Sequence, residues 1–498
     1  MRKHYLILLL VIILGAVQLD CAYIIDHDLF LEVLIEDGRN LNAKTSGKIH
    51  VSEDKSPISK TFEGSIKLML QDNTTLKYFG VLNRSETIAD SVSDGQDLHL
   101  KTNFAWKDGR LKLEKERLIY EDISFPSMDE AQRYCQETGI PQKNITPVEM
   151  IGTQLRIADS SGKSSYFELP VRLKSEQDIV FGTSKYGYGG SFIIKAVGGK
   201  LVVCHVLPMD EYIAGVIQNE IGSNAPLEAM KTQAVTARSH AVSLLLYNRH
   251  KYDGYDLCNS THCQVYKGKH LLNQNVLDAV SSTKNQVLVH EERIASTTYH
   301  SSSGGKTDSS MNIWKGKPYP YLMGVVVYPE AEEYDLTQEA DCRAWIDYKL
   351  DSSNMSNWER ASLSWTRSIS NSQLASNLGI ARVDSIEIIK RGFSGRILSI
   401  RINGSTVLDG EYKIRQAFGA LPSSLFYIEG SSSTNAAGNT VYRIGSNVKV
   451  VGKGSGHGVG MCQVSTLQRA RTGQIYNEIL EFFYPGTQII SNWLETNE

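Results

Sequence analysis

Glu220 stands on a short link between two helical patterns, and a polar, basic helix face follows it, carrying Lys231, Gln233 and Arg238. An acid opposite fixed cations suits a catalyst that protonates a leaving group while the cations hold a polar substrate. The same pattern also describes a solvated loop acid beside a solvated basic face, so both readings stand at this level.

Two helices must position these groups. Pro208 fits a first helical position, where a missing N–H costs nothing. Asp210 and Glu211 then fall in the first turn, where the helix dipole favours anions. Ile213, Val216 and Ile217 supply an apolar stripe at helical spacing. Gly222, Ser223 and Asn224 break the pattern. Pro226 opens a longer helix with the apolar set Leu227, Met230, Ala234, Ala237, Ala241 and Leu245. Lys231 and Arg238 are seven residues apart and share one face of it, with Gln233 on a neighbouring face. Glu220 is therefore expected just before a helix N-terminus, beside a basic stripe.

A second cluster follows. Cys258, His262 and Cys263 lie within six residues. Thiolate and imidazole ligands suit a structural zinc, which takes four ligands, and His250 is the nearest fourth candidate. A Cys258–Cys263 disulfide in an oxidising compartment is one alternative. Two free thiols beside a histidine are the other. Two thiolates make a closed structural site more natural than a hydrolytic metal centre.

The chain has 498 residues and 41% hydrophobic content, enough for two or three globular domains. A net charge of −3 gives no basic footprint for nucleic acid. Seven cysteines are too few for a disulfide scaffold at this length. The expected fold class is α+β. Residues 1–22 read as a signal peptide or N-terminal anchor, 23–182 as a β-rich domain, and 183–498 as a mixed domain carrying the chemistry, with an inserted lobe at about 329–370. Arg2 and Lys3 precede an apolar run from Tyr5 to Val17, which is short for a span of roughly 17–25 residues and suits export. Cys21 follows a poor lipobox. The body of the protein is thus expected outside the inner membrane.

The β-rich domain rests on alternating runs such as LFLEVLIED, GSIKLML and TQLRIAD. LVVCHVL reads as a buried strand. A helix end and two strands turning at Glu291-Glu292 are expected next, and SIEIIKRGFSGRILSIRING gives two strands around the Gly392–Gly395 turn. The acidic, Ser/Asn-rich stretch with Trp345, Trp358 and Trp365 reads as the wall of the inserted lobe.

In order along the chain come LPMDEYIAGVIQNEI, PLEAMKTQAVTARSHA and CNSTHCQVYKG. YHSSSGGKT follows, with Trp314 and the Pro320–Leu322 PYL downstream, and then GKGSGHGVGMCQ and TGQIYNEILEFFYPGTQI. Together these blocks resemble the stage II sporulation protein D family, also called the SpoIID/LytB domain, from roughly Tyr186 to Ile490. The resemblance implies an exported peptidoglycan lytic transglycosylase acting in division or sporulation. Such enzymes cleave the bond between N-acetylmuramic acid and N-acetylglucosamine in glycan strands stripped of stem peptides by an amidase. It puts the catalytic glutamate at Glu220 and substrate contacts at Lys231, Gln233, Arg238, Ser302, Gly304, Gly305, Thr307, Tyr321 and His457. For His457 the flanking glycines let the backbone approach a sugar, and a tight turn with a satisfied imidazole is the alternative. Zinc-bearing members of the family place the metal at the Cys/His cluster, and no cofactor is required for the chemistry. The family name also covers amidase modifiers, so a non-catalytic, glycan-binding activator of an N-acetylmuramoyl-L-alanine amidase is the second expectation, and an amidase is the expected partner.

The sequence departs from the family pattern beside the acid. Ile221-Gly222 stands where a Met-Pro pair is common, Ser239-His240 follows Arg238 where Thr-Tyr is usual, and Cys462 replaces a serine. Ordinary glycoside hydrolysis uses two carboxyl groups. Here one suffices, because it protonates the glycosidic oxygen and then takes a proton from the muramic acid C6 hydroxyl as a 1,6-anhydro ring closes. Such an acid must be protonated near neutral pH, so a partly apolar setting is expected, with Lys231 and Arg238 kept off it.

Overall fold

The structure, a computed structural model, describes residues 23–25, 28–53, 59–81, 100–107, 110–117 and 124–125, several residues within 128–136, and 145–494 apart from 251, 317 and 492. The export signal expected over residues 1–22, Cys21 included, lies outside the described residues. Among the described residues no helix is long and apolar enough to cross a membrane.

Helices and several sheets share the chain, and the fold class is α+β. The chain forms two compact units. One comprises the described residues up to Asn219 with Leu244–Leu271 and Leu494, and the other Glu220–Ser243 with Leu272–Trp493.

The first unit is built on an antiparallel sheet. Its strand order is Tyr23–Ile25, Asp28–Gly38, Lys200–Pro208, Tyr188–Val197, Val171–Phe181, Asn40–Glu53, Ser59–Val81, Ile145–Asp159 and Ser164–Glu168. Alternation builds it, since Asp28–Gly38 buries Leu29, Leu31, Val33 and Ile35 at every second position. Lys200–Pro208 is covered on both faces, as its unbroken apolar run implies. Lys195 and Glu32, both buried, form an ion pair across it. The boundary expected at 182/183 passes through this sheet. Strands Tyr188–Val197 and Lys200–Pro208 sit inside the sheet, between Asp28–Gly38 and Val171–Phe181, and the first unit would lose its middle without them.

The second unit packs around two apolar cores. Val235, Leu288, Trp345, Met461 and Leu480 belong to one. Ile386, Ile400, Phe426 and Val450 belong to the other. The expected hairpins form. Glu291 and Glu292 turn between Val287–His290 and Arg293–Ile294 with φ of 48° and 60°, and Gly395 N–H donates to the Gly392 carbonyl between Ser385–Arg391 and Ile397–Ile402.

The inserted lobe expected at about 329–370 does not stand apart. Trp345 is fully buried, and its Nε1 donates to the Gly304 carbonyl at 2.6 Å. Trp365 Nε1 donates to the Gly454 carbonyl at 2.8 Å. Strand Ser364–Ser370 pairs with Asn447–Lys453. The tryptophans supply core, and only Trp358 is exposed as a lobe wall would require.

Candidate active site

Helix Met209–Ile217 runs directly into a five-residue π-turn, Gln218–Gly222, which holds Glu220. The link expected between the helices is thus itself helical, of the wider kind that frequently marks functional sites. Gly222 ends it at a φ of 94°, a conformation open to glycine. Just before the acid, the Gln218 side chain is buried. It donates to the Gly268 carbonyl and accepts the Leu271 N–H at 2.8 Å. Beyond it, Asn273 donates to the Ser223 carbonyl at 2.8 Å while capping its own helix, Gln274–Ser282.

Glu220 is partly exposed. Its Oε2 lies 3.3 Å from Gln463 Nε2, and the same nitrogen lies 3.3 Å from Gln233 Oε1. Both glutamines are buried. Ile221, next in the chain, is buried as well, so a partly exposed carboxylate lies against buried amide groups.

The long helix Leu227–Tyr247 differs from the amphipathic expectation. It is buried on nearly every face along its middle, including Thr232, Gln233, Thr236, Arg238 and Ser239, whereas Leu227 is exposed. The basic stripe accordingly splits in two. Lys231 stays partly exposed, with Nζ 2.8 Å from Glu228 Oε1 and 5.7 Å from the centre of the Tyr476 ring. Glu228 Oε2 in turn accepts the Tyr476 N–H at 2.8 Å. Arg238 is 1% exposed and donates to the carbonyls of Thr283 at 2.9 Å and Gln286 at 3.1 Å. It thereby satisfies carbonyls at the end of helix Gln274–Ser282, a position that favours a cation. Arg238, expected as a substrate contact, here braces these two carbonyls.

The Ser/Gly/Thr loop expected to contact substrate is held by backbone contacts. Residues 302–310 are all buried. Thr307 Oγ1 accepts the Val325 N–H at 2.8 Å. The Gly305 carbonyl accepts the N–H groups of Val327 and Tyr328. Gly305 has φ of 147°, and a Cβ there would lie 2.5 Å from Trp345 Nε1, so the glycine exists to admit the indole. Ser302 is fully buried. Tyr321 is 4% exposed, its hydroxyl accepting the Ser296 N–H at 2.9 Å. Thr307 and Tyr321 thus hold backbone N–H groups through their hydroxyls.

His457 is tied to the backbone through both ring nitrogens. Its Nε2–H donates to the Tyr299 carbonyl at 2.9 Å, and its Nδ1 accepts the Val459 N–H at 3.1 Å. Burial, with Arg396 adding to it, pushes its pKa down to about 3. Both ring nitrogens are therefore committed within the neutral form.

In the first unit, His250, Cys258, His262 and Cys263 come together with their ligand atoms within 4.8 Å of one another. His250 Nε2 lies 3.2 Å from Cys263 Sγ, and His262 Nδ1 lies 3.7 Å from Cys258 Sγ and 3.9 Å from Cys263 Sγ. The two cysteines are free thiols in this structure. Separations of this size match the edges of a tetrahedron with zinc–ligand bonds of about 2.0–2.3 Å. Asp253 Oδ2 sits 2.8 Å from His250 Nδ1, the carboxylate support that a ligating histidine takes. The donor set fits zinc, and His250 is its fourth member.

Gln463 and Glu228 were not legible as site residues. Gln463 follows GHGVGMC, but no local spacing connects it to Glu220. Glu228 is an ordinary first-turn acid in sequence.

Residues 197–290 match the sequence family described as stage II sporulation protein. Residues 308–460 match a domain of unknown function (DUF8618). The chain is 30% identical over 308 residues to an uncharacterised protein of Brachyspira hyodysenteriae, covering 61% of this chain and 72% of that one. It is 29% identical over 301 residues to the amidase enhancer of Bacillus subtilis, covering 56% and 40% respectively. With stage II sporulation protein D of Bacillus subtilis the identity is 24% over 303 residues, covering 57% and 74%.

Proposed function

The chain belongs to the stage II sporulation protein D family, and from that membership we propose that it is a peptidoglycan lytic transglycosylase with Glu220 as its acid and base. The observation that carries the reading is the setting of Glu220. It is a partly exposed carboxylate at a π-turn, inside the matched region, with a buried amide donor against one oxygen. The Glu220 carboxylic acid gives its proton to the glycosidic oxygen as the bond from that oxygen to C1 breaks. The carboxylate then takes the proton of the C6 hydroxyl while O6 bonds to C1. The acid is regenerated, no water is consumed, and the product carries a 1,6-anhydro ring. Lys231, partly exposed and held by Glu228 and Tyr476, is the cation left to meet the substrate.

His250, Cys258, His262 and Cys263 would hold a structural zinc, which fixes the loop after the long helix and supplies no chemistry to Glu220. Export to the cell wall, and action there in sporulation or division on strands cleared by an amidase, complete the reading.

A second reading, a glycan-binding activator of an amidase, is favoured by the likeness to an amidase enhancer. Purified protein and its Glu220→Gln variant separate the two when each is given peptide-free glycan strands, and separately an amidase with intact wall. Strand cleavage that vanishes in the variant supports the transglycosylase. Stimulated amidase with no strand cleavage by either protein supports the activator.

A further inference from the structure

An acid that donates a proton and recovers one within a single turnover meets its neighbours in two charge states. On the reading of Glu220 given above, we propose that Gln463 and Gln233 are positioning residues forming a reversible chain of amides that serves both states.

Gln463 opens the helix Gln463–Arg471 and is 2% exposed. Its Nε2 approaches Glu220 Oε2 and Gln233 Oε1, each at 3.3 Å. Gln233 has no solvent access, and its Nε2 makes no hydrogen bond. A primary amide donates at one end and accepts at the other, and the two ends are nearly equal in size. An ionised Glu220 only accepts, so the chain runs from Gln463 N–H to the carboxylate and to the Gln233 carbonyl. This arrangement leaves the Gln233 amide nitrogen over, a buried donor with nothing to bind.

A protonated Glu220 has an O–H to give. A half-turn of the Gln463 amide brings Oε1 to the place of Nε2, where it accepts the Glu220 O–H. A half-turn of Gln233 then points its Nε2 at the same oxygen, and the leftover donor finds its acceptor. The direction of the chain follows the proton. The unpaired nitrogen is the mark of a network drawn in one of two directions, because a purely structural amide pair would be built with its donors satisfied.

The test follows the titration of the Glu220 side-chain carboxyl by NMR on glutamate-labelled protein, the signal being identified by its loss in Glu220→Gln. Gln463→Met removes a donor to the charged form and should move the midpoint up by about one pH unit. Gln463→Glu keeps the volume and sets a second carboxylate at the same place, which should move it further up. Gln233→Leu should shift it in the same direction by less. The pH profile of strand cleavage should move with the titration, with kcat affected more than KM. Midpoints unchanged in folded Gln463→Met and Gln463→Glu, including the case where only the melting temperature falls, overturn the proposal. The titration is read without turnover. Absence of cleavage by the unaltered protein would sink the transglycosylase reading, while the midpoints would still decide the coupling.

Discussion

The Thr307 hydroxyl accepts a backbone N–H at 2.8 Å in a loop without solvent access, so Thr307→Val leaves a buried donor unmatched. The expected cost is about 1–3 kcal/mol, seen as a lower denaturation midpoint with KM for glycan unchanged. A raised KM at unchanged stability would return Thr307 to the substrate. Glu220 behaves oppositely. Glu220→Gln should keep the fold and the binding and lose about 10²–10⁴-fold in rate, the range for general acid–base transfer, as followed by release of cleaved strands. Glu220 was singled out by the family resemblance, since its local pattern reads equally as a solvated loop acid. Gln463 was not, since 243 positions separate it from Glu220 and no periodicity spans that distance. The backbone partners of Thr307 and Tyr321 were not legible either, because a polar residue reads the same whether its partner is a sugar or a backbone amide.

At the scale of elements, helices were read well and their surroundings badly. Periodicity located Met209–Ile217 and Leu227–Tyr247, but it could not show that the longer helix is enclosed on most faces. Arg238 is the consequence. Arg238→Ala should cost ~3 kcal/mol, because two hydrogen bonds from a charged donor disappear and buried carbonyls lose their partner. Thermal unfolding should show it, and Arg238→Lys should recover part. A variant of unaltered melting temperature with weakened glycan binding would restore the substrate role. The metal cluster makes a separate prediction. Protein purified without chelator should carry one zinc per chain by elemental analysis, and Cys258→Ser should lose it and melt earlier. Full stability with no metal would reject the site. Cys258, His262 and Cys263 were grouped by spacing, and His250, the weaker candidate in sequence, is brought within reach of them by the fold.

For the whole molecule, strands were legible one by one and their partners were not. Asp28–Gly38 pairs with Lys200–Pro208, a long-range choice that local alternation cannot encode. The predicted boundary therefore fell within a sheet. Histidines held away from solvent, His457 only in part, make a prediction at this scale. Burial lowers His205 to about 4, pushes His300 far down, and takes His457 to about 3. Each is neutral in the fold and takes up a proton on unfolding below its ordinary pKa of about 6.5. Between that value and the folded one, the unfolded state binds more protons, so stability is whole above pH 6.5 and falls on acidification. The slope approaches about 1.4 kcal/mol per pH unit for each histidine as an upper figure. The melting temperature should drop between pH 7.5 and 5.5. A flat or rising curve would show that the imidazoles can charge in place.

The mass of the fragments released from peptide-free glycan strands tests the central claim most directly. The account predicts muramic acid ends lighter by one water, closed as 1,6-anhydro rings, and none from Glu220→Gln. Reducing muramic acid ends, or anhydro ends undiminished in the variant, would contradict it.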